Sequence, residues 1–268
     1  MAVFLTFGDA RYEPAVRRIE KEAAASGFFD HLSIKRPADL GRAFWRTHGH
    51  RIRENKRGYG YWIWKPHVVL EELTKRSSDD VVIYTDAGCT VDGTCGARFQ
   101  DYCDLVRQSP LGVLGFRLSS LEKHYTKSDV FEALNAWHLK DTPQLITTVI
   151  VFRPCDVSIA LVRDWLTAAA DYRLVSDAPS TIPNDPDFVE HRHDQSLFSL
   201  LAKQRGPTLL DDETWLHDET WLPEWDGKAP FRATRKQSLP SGRLGMARHR
   251  TGLKWQRMRQ AYWSAGGP

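Results

Sequence analysis

At 268 residues and 41% hydrophobic content, the chain is long enough for one large α/β domain with a full core and a short appendage. A formal net charge of +3 is mild and spread along most of the sequence, so no nucleic-acid partner is expected from it. Cys89, Cys95, Cys103 and Cys155 show neither C-x-x-C pairing nor metal-finger spacing, which predicts reduced core thiols in a cytosolic protein. No apolar run approaches a membrane span, and Met1 to Asp9 reads as a strand rather than a secretory leader.

Ala2 to Asp9 predicts a first strand closing in a loop, and Tyr12 to Ala25 a helix with Val16, Ile19 and Ala23 at helical spacing. A second strand is expected at Asp30 to Ile34 and a helix around Leu40 to Thr47. Gly58 to Pro66 is an aromatic loop before a helix in which Pro66 sits in the first turn and Val68, Val69, Leu70 and Leu73 face inward. Val81 to Cys89 is a β-branched run ending on Asp86 and two small residues. It reads as a buried strand with a carboxylate at its carboxyl end, where open α/β sheets collect ligands, or equally as a turn aspartate with Gly88 supplying a positive φ.

Further on, Ala97 to Ser109 predicts a helix, Leu111 to Phe116 a strand, Lys127 to Ala136 a helix, Thr147 to Phe152 a second buried strand, and Val157 to Ala170 an amphipathic helix around Trp165. This alternation favours a mostly parallel sheet with helices on both faces. Asp177 to Asp187, with three prolines, is a loop, and His191-Arg192-His193-Asp194-Gln195 leads into a short helix through Lys203. Asp212-Glu213-Thr214-Trp215-Leu216 recurs as Asp218-Glu219-Thr220-Trp221-Leu222; its tryptophans would seal a loop or stack on a sugar ring. From Arg232 onward cations accumulate with no acidic residue, which suits either a solvated terminus or a surface meeting phosphates or anionic lipid.

Arg57-Gly58-Tyr59-Gly60-Tyr61-Trp62-Ile63-Trp64-Lys65-Pro66, Tyr84-Thr85-Asp86-Ala87-Gly88-Cys89 and His191-Arg192-His193-Asp194-Gln195-Ser196 together resemble segments of GT-A-fold glycosyltransferases, more narrowly bacterial and viral proteins of polysaccharide synthesis. The resemblance covers about residues 1–205. It implies a GT-A-like (Rossmann-like) single domain over 1–205, with a C-terminal extension, 206–268, packed on or closing over the site. The implied activity is transfer of a hexose or deoxyhexose from a nucleoside-diphosphate sugar to a hydroxyl of a glycan or lipid-linked glycan. The implied location is cytoplasmic, with peripheral contact to an anionic inner-membrane face.

By that resemblance Thr6, Gly8, Tyr12, Lys65, Asp86, Ala87 and Gly88, with His249 and Arg250 from the tail, would bind the donor. Glu122, His124, Gln144 and Thr148 would bind the acceptor. Asp86 would hold Mn²⁺ or Mg²⁺, although Gly88 stands where a second carboxylate of a D-x-D motif belongs; Asp92 would substitute if its loop folded back. Sugar transfer builds negative charge on the departing phosphate, so the site must neutralise it; a metal on Asp86, Lys65 and the tail cations are the means, unless Lys65 is simply an exposed lysine beside the aromatic loop. Asp194, or alternatively His193, would take the proton of the acceptor hydroxyl, unless Asp194 is merely a helix cap. A base at Asp194 fits inversion, whereas a role in orienting the donor leaves a retaining route open.

Two other functions remain compatible with the residues. Asp86, His191, His193 and Asp194 would gather metal ions in a hydrolase, or the basic tail would make the chain a non-catalytic module for anionic partners.

Overall fold

The computed structural model describes residues 1–214 and 229–234. Its elements in chain order are β1 (Ala2–Phe7), α1 (Glu13–Ser26), β2 (His31–Lys35), α2 (Gly41–Glu54), α3 (Gly58–Tyr61), α4 (Trp64–Leu73), β3 (Val81–Thr85) and β4 (Thr90–Val91). They continue as α5 (Gly96–Gln108), β5 (Val113–Leu121), α6 (Glu122–Tyr125), α7 (Ser128–Ala133), β6 (Pro143–Leu145), β7 (Val149–Phe152), α8 (Asp156–Ala170), α9 (Tyr172–Val175), α10 (His193–Lys203), β8 (Thr208–Asp211) and β9 (Phe231–Arg232).

The strands form one seven-stranded sheet in the order β2-β1-β3-β7-β5-β6, with β8 paired to β5. β2, β1 and β3 run parallel, as do β5 and β8; β7 is antiparallel to both β3 and β5, and β6 is antiparallel to β5. Five of the seven strands, β2, β1, β3, β5 and β8, therefore point one way, and the expected α/β architecture with a mostly parallel central sheet is present.

Strand side chains alternate between faces, and here both faces are apolar because both are covered. Val3, Leu5, Val82, Tyr84, Ile150 and Phe152 join one core cluster, which includes buried residues of α4, α8 and α10. Phe4, Val81, Ile83, Val149 and Val151 join the other, with residues of α1 and α5. On α8, Leu161, Val162 and Trp165 are fully buried, each contributing roughly 1.5–3 kcal/mol of hydrophobic stabilisation.

Residues beyond 205 return to this body. β8 adds a strand to the sheet, and β9 pairs antiparallel with β4, placing the buried Phe231 among Phe29, Phe99 and Tyr102. Glu213 accepts hydrogen bonds from Arg98 and Tyr102, anchoring the first copy of the sequence repeat. Trp215, Trp221, His249, Arg250 and the tail from residue 235 lie outside the described residues. No helix among the described residues is long and apolar enough to cross a membrane.

Candidate active site

Because β1 and β3 are parallel neighbours, the residues that follow them, Gly8 and Asp86, emerge at one edge of the sheet. β7 runs the other way, so Thr147 and Thr148, which precede it, arrive there too, and the Asp86 N–H donates to the Thr148 carbonyl at 2.8 Å. The starts of α4 and α10 bring Lys65, His193 and Asp194 to the same place. Between them opens a cleft of about 440 Å³ at the carboxyl ends of β1 and β3, where open α/β sheets bind ligands.

Lys65 is the hub of the cleft floor. Its ammonium lies 3.2 Å from Asp86 Oδ1 and 3.2 Å from Asp194 Oδ2, and donates to the Thr147 carbonyl at 3.3 Å. The Lys65 side chain is 2% exposed, which overturns the alternative of an exposed lysine beside the aromatic loop. The Tyr84 hydroxyl donates to Asp86 Oδ1 at 2.6 Å, and the Thr147 hydroxyl donates to Asp194 Oδ2 at 3.2 Å. Asp194 Oδ1 and Asp86 Oδ2 take no part in these bonds. Asp194 stands in the first turn of α10 but does not cap it; its carboxylate turns to Lys65 instead.

Burial opposes the charge on Lys65, but the two carboxylates, Asp194 foremost, outweigh it and hold the ammonium above the ordinary lysine range. Burial pushes Asp194 up to about 6, with Asp86 adding to the rise and Lys65 opposing it. One ammonium between two carboxylates leaves an excess negative charge when both are ionised, and Asp194 is the carboxylate that gives way to a proton.

The histidines are fixed from behind. His191 Nε2 meets the Leu174 carbonyl and His193 Nδ1 the Val175 carbonyl, each at 2.8 Å; a carbonyl can only accept, so these nitrogens carry the hydrogens. His191 Nδ1 has no hydrogen-bond partner among the described residues, and His193 Nε2 lies 3.6 Å from Asp177 Oδ1, beyond hydrogen-bond reach. Burial lowers the pKa of both rings and keeps them neutral near pH 7.

Gly58, Tyr59, Gly60, Tyr61 and Trp62 all have positive φ, so the aromatic motif is one turn of left-handed backbone. Three of the five carry a Cβ, and such residues cost of order 1–3 kcal/mol each unless the surroundings over-determine them. Here the surroundings are His193, itself left-handed at φ 49°, with its ring 5.0 Å from Tyr61 and stacked 5.3 Å from Trp62. A Cβ on Gly58 would come within 2.2 Å of the Trp62 ring, which explains the glycine.

Of the residues expected to form the site, Gly8, Tyr12, Lys65, Asp86, Ala87, Gly88, Thr148, His193 and Asp194 line the cleft. Gly8 has no room for a side chain, since a Cβ would lie 2.3 Å from Val16 on α1. Gly88 is not left-handed, so the alternative of a turn glycine with positive φ is corrected.

Thr6, Glu122, His124 and Gln144 are placed elsewhere. Thr6 is fully buried within β1. Glu122 is fully buried as the partner of Lys203, Thr126, Gln144 and Ser199, and Gln144 is locked into the same network, so neither presents an atom to an acceptor. His124 lies outside the cleft lining, and its carbonyl accepts from the Val189 N–H. Gln144 reaches the site only at second hand, through Gln195, whose amide donates to it at 2.7 Å.

A divalent metal on Asp86 does not fit the residues present. Oδ1 of Asp86 is taken by Tyr84 and by the Lys65 ammonium, a like charge to any metal placed on the remaining Oδ2. Asp92 is paired with Arg232 at 2.5 Å away from the cleft, and no three His, Cys, Asp or Glu residues among the described ones are grouped to hold a metal. The same finding removes the basis for a metal hydrolase built on Asp86, His191, His193 and Asp194.

The residues missed from sequence are charged and aromatic. Arg11, Lys56, Arg57, Trp62 and Trp64 also line the cleft. Arg57 and the tryptophans lay within a recognised motif without being assigned a role, whereas Arg11 and Lys56 sit in polar stretches with no spacing signal.

No family model and no curated protein matches the chain. Among solved structures it is similar to a glycosyltransferase involved in the glycosylation of the major capsid of PBCV-1, at 12% identity and TM-score 0.47 over 86% of this chain and 92% of that one. It is also similar to mouse xyloside xylosyltransferase 1, at 8% identity and TM-score 0.45 over 87% and 97%, and to the galactosyltransferase LgtC, at 10% and 0.44 over 87% and 86%. With TM-scores below 0.5, these are likenesses of chain trace, and the functional conclusion rests on the cleft.

Proposed function

We propose that the protein is a glycosyltransferase that moves a sugar from a nucleoside-diphosphate donor to a hydroxyl of a glycan or lipid-linked glycan. The observation that carries this is the convergence of three motifs distant in sequence on one cleft at the carboxyl ends of β1 and β3, with Lys65 joining Asp86 to Asp194. The cleft mixes aromatic walls at Trp62 and Trp64 with cations and carboxylates, which suits a ligand with rings, hydroxyls and a diphosphate. Asp194 serves as the base. Its Oδ2 is held by Lys65 and Thr147, which leaves Oδ1 to accept the proton of an acceptor hydroxyl. Its elevated pKa, about 6, puts it closer to working pH than an ordinary aspartate.

The test is donor turnover. Incubation with a panel of uridine, guanosine and thymidine diphosphate sugars, with mono- and disaccharide acceptors, should release one nucleoside diphosphate, and Asp194→Asn should slow that release by at least about 100-fold, the lower end for loss of a general base. Equal turnover by wild type and variant would remove Asp194 from the chemistry.

A further inference from the structure

Resting on that reading, we infer that the donor diphosphate is neutralised by side-chain cations at the cleft rim, Arg11 and Lys56, rather than by a divalent metal on Asp86. Two observations combine. The first is the misfit at Asp86, where the Lys65 ammonium already occupies the position between the two carboxylates.

The second is the disposition of the other cations of the cleft. Arg57 is committed to Asp177 at 3.0 Å and to Glu190 at 3.7 Å. Arg192 is half-buried, with its guanidinium 3.6 Å from the centre of the Tyr125 ring. Lys65 is shared between Asp86 and Asp194. Arg11, in the loop after β1, and Lys56, in the turn after α2, are exposed and have no ion-pair partner among the described residues. The two acids nearest to Arg11 in sequence are both engaged: Asp9 Oδ1 accepts from the N–H groups of Arg11 and Tyr12, and Glu13 pairs with Arg17 and Arg36. Because the floor carries an excess negative charge, an anionic diphosphate is driven toward these two rim cations. A guanidinium and an ammonium can bind phosphoryl oxygens with charge-assisted hydrogen bonds. The sugar would then extend inward to Asp86 and Asp194.

Isothermal calorimetry with UDP, GDP and dTDP tests this on the full chain, in EDTA and again with excess Mn²⁺. One nucleoside diphosphate should bind in EDTA with an affinity that Mn²⁺ changes less than about three-fold. Arg11→Ala and Lys56→Ala, both exposed, should each weaken it by about ten-fold with melting unchanged, the loss expected for one charge-assisted contact. Binding that requires Mn²⁺, or full affinity in both variants, would overturn the inference while leaving the transferase assignment standing. Binding by no nucleotide under either condition would overturn both.

Discussion

The Lys65 ammonium and the Asp194 carboxylate lie 3.2 Å apart with almost no solvent on either side chain. α4 and α10 supply the two charges, and both helices pack on α8, so the pair is set by the core rather than by a flexible loop. Asp86 completes a row of carboxylate, ammonium and carboxylate across the cleft floor.

Breaking this row from its centre should be costly. Lys65→Met leaves a buried Asp194 without its counter-charge, and removal of one partner of a buried pair costs about 3–5 kcal/mol. The loss should be larger at pH 8 than at pH 5, because at the lower pH Asp194 takes up a proton and no longer needs the ammonium. Urea unfolding at the two pH values measures it; a loss under about 1 kcal/mol at pH 8 would mean the pair is structurally idle.

Asp194 also imposes a pH dependence of its own. Its folded pKa of about 6 lies above the ordinary aspartate value of about 3.9, so between those values the native state holds more protons than the unfolded chain. Its contribution to stability is full below about pH 4 and is lost as the pH rises through about 6. Wild type minus Asp194→Asn, compared by denaturant midpoint across that window, should show the fall. The rate of sugar transfer should run the opposite way, rising through about pH 6 as the base ionises.

The left-handed turn predicts two sensitive glycines, and a third elsewhere should be tolerant. Gly60 has φ +87° and its Cβ would lie 2.7 Å from Ile52 Cγ1; Gly58 has φ +56° and would meet Trp62. Alanine at either should destabilise by about 2–4 kcal/mol, from backbone strain and overpacking together. Gly27, the αL residue that ends α1 at φ +71° and ψ 10° with nothing within 4 Å of its Cβ, should lose only about 1 kcal/mol. Melting curves of the three variants give the order directly; equal losses would contradict the packing of this turn on α2.

Thiol chemistry should follow burial. Cys89 and Cys103 are buried, and burial pushes both thiols up, Cys103 to about 11, so neither supplies thiolate near neutral pH. Titration with a disulfide reagent should leave both unmodified in the native protein and modify them on unfolding. Rapid native labelling at Cys89 would show that the cleft floor opens.

Much of this fold was legible from apolar periodicity. The strand at Val81 to Thr85 and the amphipathic helix around Trp165 stand where their patterns put them, and the strand expected from Thr147 to Phe152 starts two residues later, at Val149. Helix α2 runs to Glu54, past the expected Thr47, because Ile52 packs under Gly60, a tertiary contact that local propensity does not contain. In the site, Asp86 was visible because a buried strand stopping on a carboxylate is a local pattern. The meeting of Lys65 with Asp194 was not, since it depends on how α4 and α10 dock. Glu122 and Gln144 show the converse: polar residues near a recognised motif, drawn by Lys203 and Ser199 into a network beneath the surface.

The most direct measurement is the melting temperature of the purified chain against nucleoside diphosphates and their sugars at millimolar concentration. One base series should raise it in a concentration-dependent way, by several degrees once the ligand exceeds its Kd by about 100-fold, equivalent to about 2.7 kcal/mol. A melting temperature that no series moves would contradict a nucleotide-sugar site in this cleft, and with it sugar transfer as the activity of this protein.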